Sequence, residues 1–180
     1  MAKAGAYYYM GLKYKNGNDV SDSISLLISI LVRYPEVASI NYEPNSHVLR
    51  FTFMCTKEIP EWDNFSSETI SCLEAFNFFE NRKAKVIGLS HSKCDRLIMI
   101  EIQRDVNTLT AGEIALIISL MRNYFPQELF SDDNDYLLLE EDLLVQEELI
   151  CNMLEIIKDE APNQKIIAFR EDGRVLVFNK

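Results

Sequence analysis

The side chains in this sequence that could act as metal ligands, bases or nucleophiles include two histidines, His47 and His91, and four cysteines. His91 and Cys94 stand three residues apart, as zinc ligands often do, but a zinc site needs further ligands and no second cluster supplies them. Both histidines fall within predicted turns, so we expect surface positions for them. The sequence predicts no metal and no other cofactor.

A hydrolytic enzyme would need a nucleophile, a histidine base and an orienting acid that the fold brings together. No G-x-S-x-G segment marks a nucleophile, and the six glycines match neither the dinucleotide-binding nor the phosphate-loop spacing. One catalytic alternative stays open, an enzyme with an unmarked active site around His91, Cys94 and Glu101. The sequence as a whole favours a protein without catalytic activity.

The net charge of −10 is concentrated in one stretch, residues 131–160, which holds eleven acids and one base. The rest of the chain has 17 acids and 17 bases and is therefore neutral. Five glutamates of this stretch cluster on one side of a predicted helix: Glu140, Glu141, Glu147, Glu148 and Glu155. Di-metal carboxylate sites combine such glutamates with histidines on inward-facing helices, and here no histidine is near.

This acidic face has two interpretations. It is either a recognition surface for a protein partner or a solvated face that keeps a neutral body dispersed. Like charges one turn apart destabilise a helix by roughly 0.2–0.5 kcal/mol per pair, and the stretch contains a single base to relieve them. We therefore predict an exposed face that binds a protein, with solubility as the open alternative.

Nucleic-acid binding has one supporting pattern. Aromatic residues on the outer strands of a β-α-β sheet can stack bases, and Tyr7, Tyr9, Phe51 and Phe53 occupy suggestive places. Against this, the segment around Phe51 lacks the glycines and bases of the usual RNA-binding motif, and the chain is acidic where binders are basic. Core packing is the better interpretation of these aromatic residues, and the sequence argues against a nucleic-acid partner.

The order of predicted elements in the first half, residues 5–92, is β-α-β-β-α-β. Helices are expected after Ser21 or Asp22 and after Ser66 or Ser67, and a hairpin around residues 44–46. This order is that of a ferredoxin-like, split β-α-β layout. The sequence therefore predicts an α+β fold in which helices pack mainly on one face of an antiparallel sheet.

The second half, residues 93–180, adds a strand, a helix capped by Thr110, the acidic amphipathic helix at 137–158 and a terminal β-hairpin at 165–179. The apolar half of the acidic helix is broad, so we expect it to pack on the body of its own domain. The hairpin strands are almost continuously apolar and should lie inside a sheet. Because a short turn with no linker composition joins the halves, we expect one continuous globule.

The functional hypotheses follow from these patterns. The leading one is a non-catalytic interaction or regulatory protein; the alternatives are a small-molecule sensor or binding domain and the enzyme near His91. Apolar strands near both chain ends favour a homodimer. Four scattered cysteines, Cys72 and Cys151 as buried helical thiols among them, indicate a reducing compartment. With no signal peptide and no apolar run long enough to span a membrane, we expect a cytoplasmic protein.

Overall fold

The computed structural model describes residues 4–7, 21–132 and 140–179, with the backbone alone for residues 4–7 and Glu140. The strands are β1 (Ala4–Tyr7), β2 (Ser39–Glu43), β3 (Val48–Cys55), β4 (Ile87–Cys94), β5 (Leu97–Asp105), β6 (Ile166–Glu171) and β7 (Arg174–Asn179). The helices are α1 (Asp22–Arg33), α2 (Trp62–Phe79), α3 (Ala111–Tyr124) and α4 (Glu140–Asp159). The predicted stacking residue Tyr9 and the first three positions of the predicted acidic helix lie outside the described residues.

The strands form one sheet in the order β1-β7-β6-β2-β3-β5-β4, and each strand runs antiparallel to its neighbours. Together with the helices, this sheet gives the α+β fold that the sequence predicts. The terminal hairpin, β6 and β7, lies inside the sheet between β1 and β2. The sheet therefore combines strands from the first and the last parts of the chain.

The ferredoxin-like arrangement predicted for residues 5–92 is not confirmed. Three successive antiparallel ladders separate β1 from β2, so these two strands run in opposite directions and are not neighbours. A single split β-α-β unit is present among the described elements, in which β3 and β4 are parallel, α2 connects them and β5 lies between. Periodicity and turn signals predict strands, but they do not specify which distant strand each one pairs with.

The core lies between the sheet and the helices. Phe51 and Phe53 on β3 stand opposite Ile102 and Ile100 on β5, and all four side chains are fully buried. Directly opposed residues of an antiparallel pair share a face, so these four mark the face that the helices cover. Phe51 and Phe53 are thus core residues, unavailable for stacking bases. The alternate positions lie on the other face, where Met99, Glu101 and Gln103 are half-buried.

Helix α1 lies between the sheet and α4. It begins at its N-cap residue Ser21, whose hydroxyl accepts a hydrogen bond from the backbone N–H of Ile24. One side of α1 packs on β2, β6 and β7, and another packs along α4. Because it is covered on two sides, eight of its twelve residues are buried. Helix α4 also contacts α3, so it closes the side of the core that faces away from the sheet.

Local chemistry explains most element ends, with two exceptions. Thr110 caps α3 as predicted, and the hairpin turn is Asp172–Gly173, a two-residue turn with both φ angles positive. Helix α2 begins at Trp62, four residues before the predicted cap, and the side chain of its N-cap residue, Glu61, makes no capping hydrogen bond to the helix backbone. Strand β4 continues to Cys94, so His91 lies in a strand and not in a turn.

Candidate functional site: the outward face of helix α4

Helix α4 is anchored by one narrow side. Its buried residues are Gln146, Ile150, Met153, Leu154 and Ile157. At about 100° per residue these positions occupy roughly a third of the helix circumference. Burial of four large apolar side chains fixes the rotation of α4 about its own axis. That rotation decides which of its side chains face solvent.

Three of the five predicted glutamates face solvent together. Glu141, Glu148 and Glu155 are exposed. Their spacing of seven residues places them one above another, about 10.5 Å apart along the helix axis. Asp159 extends this column by one turn and is also exposed. We call these four residues the acidic column.

The other two predicted glutamates differ from this group. Glu147 is half-buried at the seam with α1, where a carboxylate oxygen lies 3.4 Å from a guanidinium nitrogen of Arg33. Only the backbone of Glu140 belongs to the described residues. Within the column, Glu155 pairs with Lys158 at 2.6 Å. Bases therefore relieve part of the repulsion that the sequence predicts, while Glu141 and Glu148 have no ion pair within the described part of the chain.

Large apolar side chains are exposed to solvent next to the acidic column. Leu144 is 65% exposed and Val145 is 53% exposed, and Leu149 and Ile156 are exposed as well. This corrects the expectation that the whole apolar half of α4 packs on its own domain. The physical reason is that α1 and α3 cover only one arc of the helix, while the apolar residues extend beyond that arc. The outward face is thus acidic and apolar at once.

The group around His91 is not brought together. His91 stands opposite Ile100 on the helix-covered face of the sheet, where its ring stacks on Trp62 at 4.1 Å between centroids. Glu101 stands opposite Ser90 on the other face, and Cys94 shares that face four residues further along β4. Neighbouring strand residues point to opposite faces, so one site cannot contain all three side chains.

His47, the second histidine, lies in the turn between β2 and β3 with a φ of 52°. Its Nδ1 is 2.7 Å from the hydroxyl of Tyr42, and that hydroxyl donates a hydrogen bond to the backbone carbonyl of Pro162. Loss of solvent lowers the pKa of His47, while nearby Asp105 acts in the opposite direction. The arrangement ties the turn to the segment after α4, which is a structural role.

A cavity of about 280 Å³ opens between the loop that precedes α2, the start of α2 and the end of α3. Phe65 and Phe125 form its buried apolar wall, and carboxylates stand around its mouth. One of these, Glu68, accepts a hydrogen bond from the hydroxyl of Tyr124, which raises the pKa of Tyr124 to about 12. The sequence gives no signal for this cavity, because its walls come from segments more than fifty residues apart.

A second concentration of charge is buried where β5 meets α3. Arg104 and Glu113 are both fully buried and form a double hydrogen bond, Nε to Oε1 at 2.5 Å and Nη2 to Oε2 at 2.9 Å. Arg104 also donates to Asp105, Thr108 and the carbonyl of Val86. All five N–H groups of the guanidinium therefore have acceptors. We call Arg104, Asp105 and Glu113 the buried charge cluster, and its role is to hold α3 on the sheet.

The cysteines are all free, and three are exposed. Cys72 and Cys151 lie on α2 and α4 but face solvent, so the expectation of buried helical thiols is wrong. Over the described residues, no group of three His, Cys, Asp or Glu side chains is placed to hold a metal ion. In the same ranges, no helix combines the length and the apolar character that crossing a membrane requires.

Comparison with protein-family models, with curated proteins and with solved structures finds no match for this chain.

Proposed function

We propose that this chain is a non-catalytic interaction protein that recognises a basic, partly apolar segment of a protein partner through the outward face of α4. The observation that supports this most directly is the combination of the acidic column with the exposed side chains of Leu144, Val145, Leu149 and Ile156. Acidic residues attract and orient a basic segment, and burial of apolar area supplies affinity.

The competing explanation is that the acidic column serves solubility alone. Solubility is served by charge and is reduced by exposed leucine, valine and isoleucine side chains. Contiguous apolar surface bordered by charge is typical of protein-interaction sites. The mixed character of this face thus favours recognition. Four free thiols suit a reducing compartment such as the cytoplasm, which stays a prediction.

The test is capture of partners from a native lysate on immobilised full-length protein. The variant has Glu141, Glu148 and Glu155 replaced by glutamine. The matched control has Glu58, Glu61 and Glu68 at the cavity mouth replaced in the same way. We expect bound proteins to elute as salt rises, since screening weakens exposed charge pairs. They should be lost with the α4 variant and retained by the control; equal capture by both would contradict the proposal.

The cavity supports a second candidate function, the binding of a small molecule. Its volume approaches the lower end of the range for ligand pockets, and its aromatic wall with polar groups at the mouth suits an organic ligand. A thermal-shift screen tests this, because a ligand at 100 times its Kd stabilises the fold by about 2.7 kcal/mol. The variant Ile59→Trp, which fills the cavity, should remove any such shift.

A further inference from the structure

The large apolar side chains exposed in the described residues fall into two patches, with Phe130 as the exception. One patch is the outward face of α4. The other is at the end of α2, where Phe78 is 75% exposed and Phe79 is 81% exposed. The chain then continues through Arg82, Lys83 and Lys85, three bases within four residues. We call Phe78, Phe79, Arg82, Lys83 and Lys85 the aromatic–basic tip.

Hydrogen bonds hold the backbone of this tip in place. Helix α2 ends at Phe79, and Asn81 adopts a φ of 54° that turns the chain back. The backbone N–H of Arg82 then donates to the carbonyl of Asn77 at 2.7 Å, as in a helix C-terminal turn. The guanidinium of Arg82 lies over the ring of Phe76, 6.0 Å from its centroid. The two exposed rings are therefore presented by an ordered turn.

The two patches are opposite in charge and lie on different flanks of the molecule. Helix α2 packs beside β4, the strand at one edge of the sheet. Helix α4 packs on α1, which covers β2, β6 and β7 towards the other edge. Among the described residues, α2 and α4 do not contact each other. One molecule therefore exposes both an acidic–apolar and a basic–aromatic surface and cannot join them internally.

We infer that the partner of the α4 face is a second copy of this chain, whose aromatic–basic tip packs on that face. This inference rests on the proposed function, because it names the basic, partly apolar segment that the α4 face recognises. Lys83 and Lys85 meet the acidic column, and Phe78 and Phe79 cover Val145, Leu149 and Ile156.

The contact is head-to-tail, since different surfaces of the two copies meet. Because the two patches lie on different flanks of the molecule, such contacts lead to rings or open chains. A two-fold dimer would use one surface twice. The candidate for it is the uncovered sheet face, where Phe169 and Phe178 stack at 5.4 Å. The two assemblies respond differently to salt and to charge reversal, because the sheet contact is apolar and the head-to-tail contact is ionic.

The experiment uses sedimentation velocity on full-length chains with reversed charges. One variant carries Glu141→Lys, Glu148→Lys and Glu155→Lys, so that only Asp159 of the acidic column stays negative and the α4 face and the tip are both basic. The other carries Lys83→Glu and Lys85→Glu, so that both of its surfaces are acidic. The control carries Glu58→Lys and Glu61→Lys at the cavity mouth just before α2, at the opposite end of that helix from the aromatic–basic tip. Circular dichroism verifies that each variant is folded.

At about 50 mM salt, we expect the apparent mass of the wild type from sedimentation to exceed the monomer mass of 20.8 kDa. At about 500 mM salt, where the charges are screened, the apparent mass should approach the monomer value. Each charge-reversed variant alone should associate at least about tenfold more weakly, because attractive pairs become repulsive. An equimolar mixture of the two variants should associate again, since each basic surface then meets an acidic one. The control should behave like the wild type.

Two outcomes would overturn the inference. One is a wild type that stays at 20.8 kDa at every salt concentration. The other is association that both charge reversals leave unchanged, as expected for a dimer through the sheet face. After either result, capture from the lysate could still identify a different basic partner of the α4 face. Sedimentation therefore tests self-association, and lysate capture separately tests whether the α4 face binds a protein at all.

Discussion

The buried charge cluster and the acidic column show two ways in which one chain concentrates charge. In the cluster, Arg104 and Glu113 have no exposed surface, and every guanidinium N–H has an acceptor. In the column, Glu141 and Glu148 are exposed and have no ion pair within the described residues. The cluster is electrostatically complete, whereas the column can still accept positively charged groups from outside.

The difference shows that a high local density of charge does not itself indicate function. Charges that the fold satisfies internally stabilise its own architecture. Charges that the fold leaves in solvent beside apolar side chains are available to a partner. The comparison therefore predicts that substitutions in the cluster change stability, while substitutions in the column change association.

The largest effect is expected for Glu113→Ala. Removing one partner of a buried ion pair leaves the other charge uncompensated in the protein interior, which typically costs about 3–5 kcal/mol. We expect the unfolding free energy from urea denaturation to fall by that amount. The matched control, Glu148→Ala on the exposed column, should change it by less than about 0.5 kcal/mol. Similar losses for both variants would contradict the division between the two regions.

The second effect concerns the rotation of α4. Leu154→Ala removes a buried side chain from the seam of the helix and should destabilise the protein by about 2–5 kcal/mol. Leu149→Ala shortens an exposed side chain, so we expect a change of less than about 0.5 kcal/mol. The same urea denaturation checks both. A larger loss for Leu149→Ala would mean that α4 turns a different side towards the core.

The third effect is a pH dependence that belongs to the buried cluster. Loss of solvent acts to raise the pKa of Asp105. Hydrogen bonds from the backbone N–H of Val86 and from Thr108, together with the guanidinium of Arg104, outweigh it and hold this pKa below its usual 3.8. A carboxyl group with a lowered folded-state pKa stabilises the fold above its unfolded pKa. This contribution is fully present above about pH 4 and is lost as the pH falls through the folded-state pKa.

The variant Asp105→Asn isolates this contribution. It places an amide where a carboxylate accepts several hydrogen bonds, so we expect a loss of about 1–3 kcal/mol at neutral pH. Its unfolding free energy should then fall less steeply than that of the wild type below about pH 4. Measurement of urea denaturation across this pH range checks both expectations. Parallel pH profiles for the two proteins would show that Asp105 has no lowered pKa.

The sequence predicts those parts of the fold that local chemistry determines. Ser21 and Thr110 cap helices as expected because a cap is a hydrogen bond within one turn of chain. The hairpin around Asp172 and Gly173 is found because both residues tolerate a positive φ. Strand pairing is different. The insertion of β6 and β7 between β1 and β2 joins segments that are far apart in the sequence, and no local pattern specifies it.

The candidate site was predictable only in part for the same reason. The spacing of Glu141, Glu148 and Glu155 indicates one exposed side of a helix. It does not tell that Gln146 is buried while Val145 is exposed, because this depends on how α1 and α3 approach α4. The residues of the aromatic–basic tip are close together in the sequence, but their exposure depends on how α2 packs beside β4.

The smallest effect on stability is expected where the effect on association is greatest. Replacing Glu141, Glu148 and Glu155 with glutamine should change the unfolding free energy by less than about 0.5 kcal/mol. The reason is geometric: residues seven apart are about 10.5 Å from each other, close to the Debye length at physiological salt, so their mutual repulsion is largely screened.

Urea denaturation measures stability, and sedimentation of the same samples measures association. A variant that keeps its stability and loses its association would assign the acidic column to recognition. A loss of several kcal/mol would instead make the column part of the architecture, like the buried cluster.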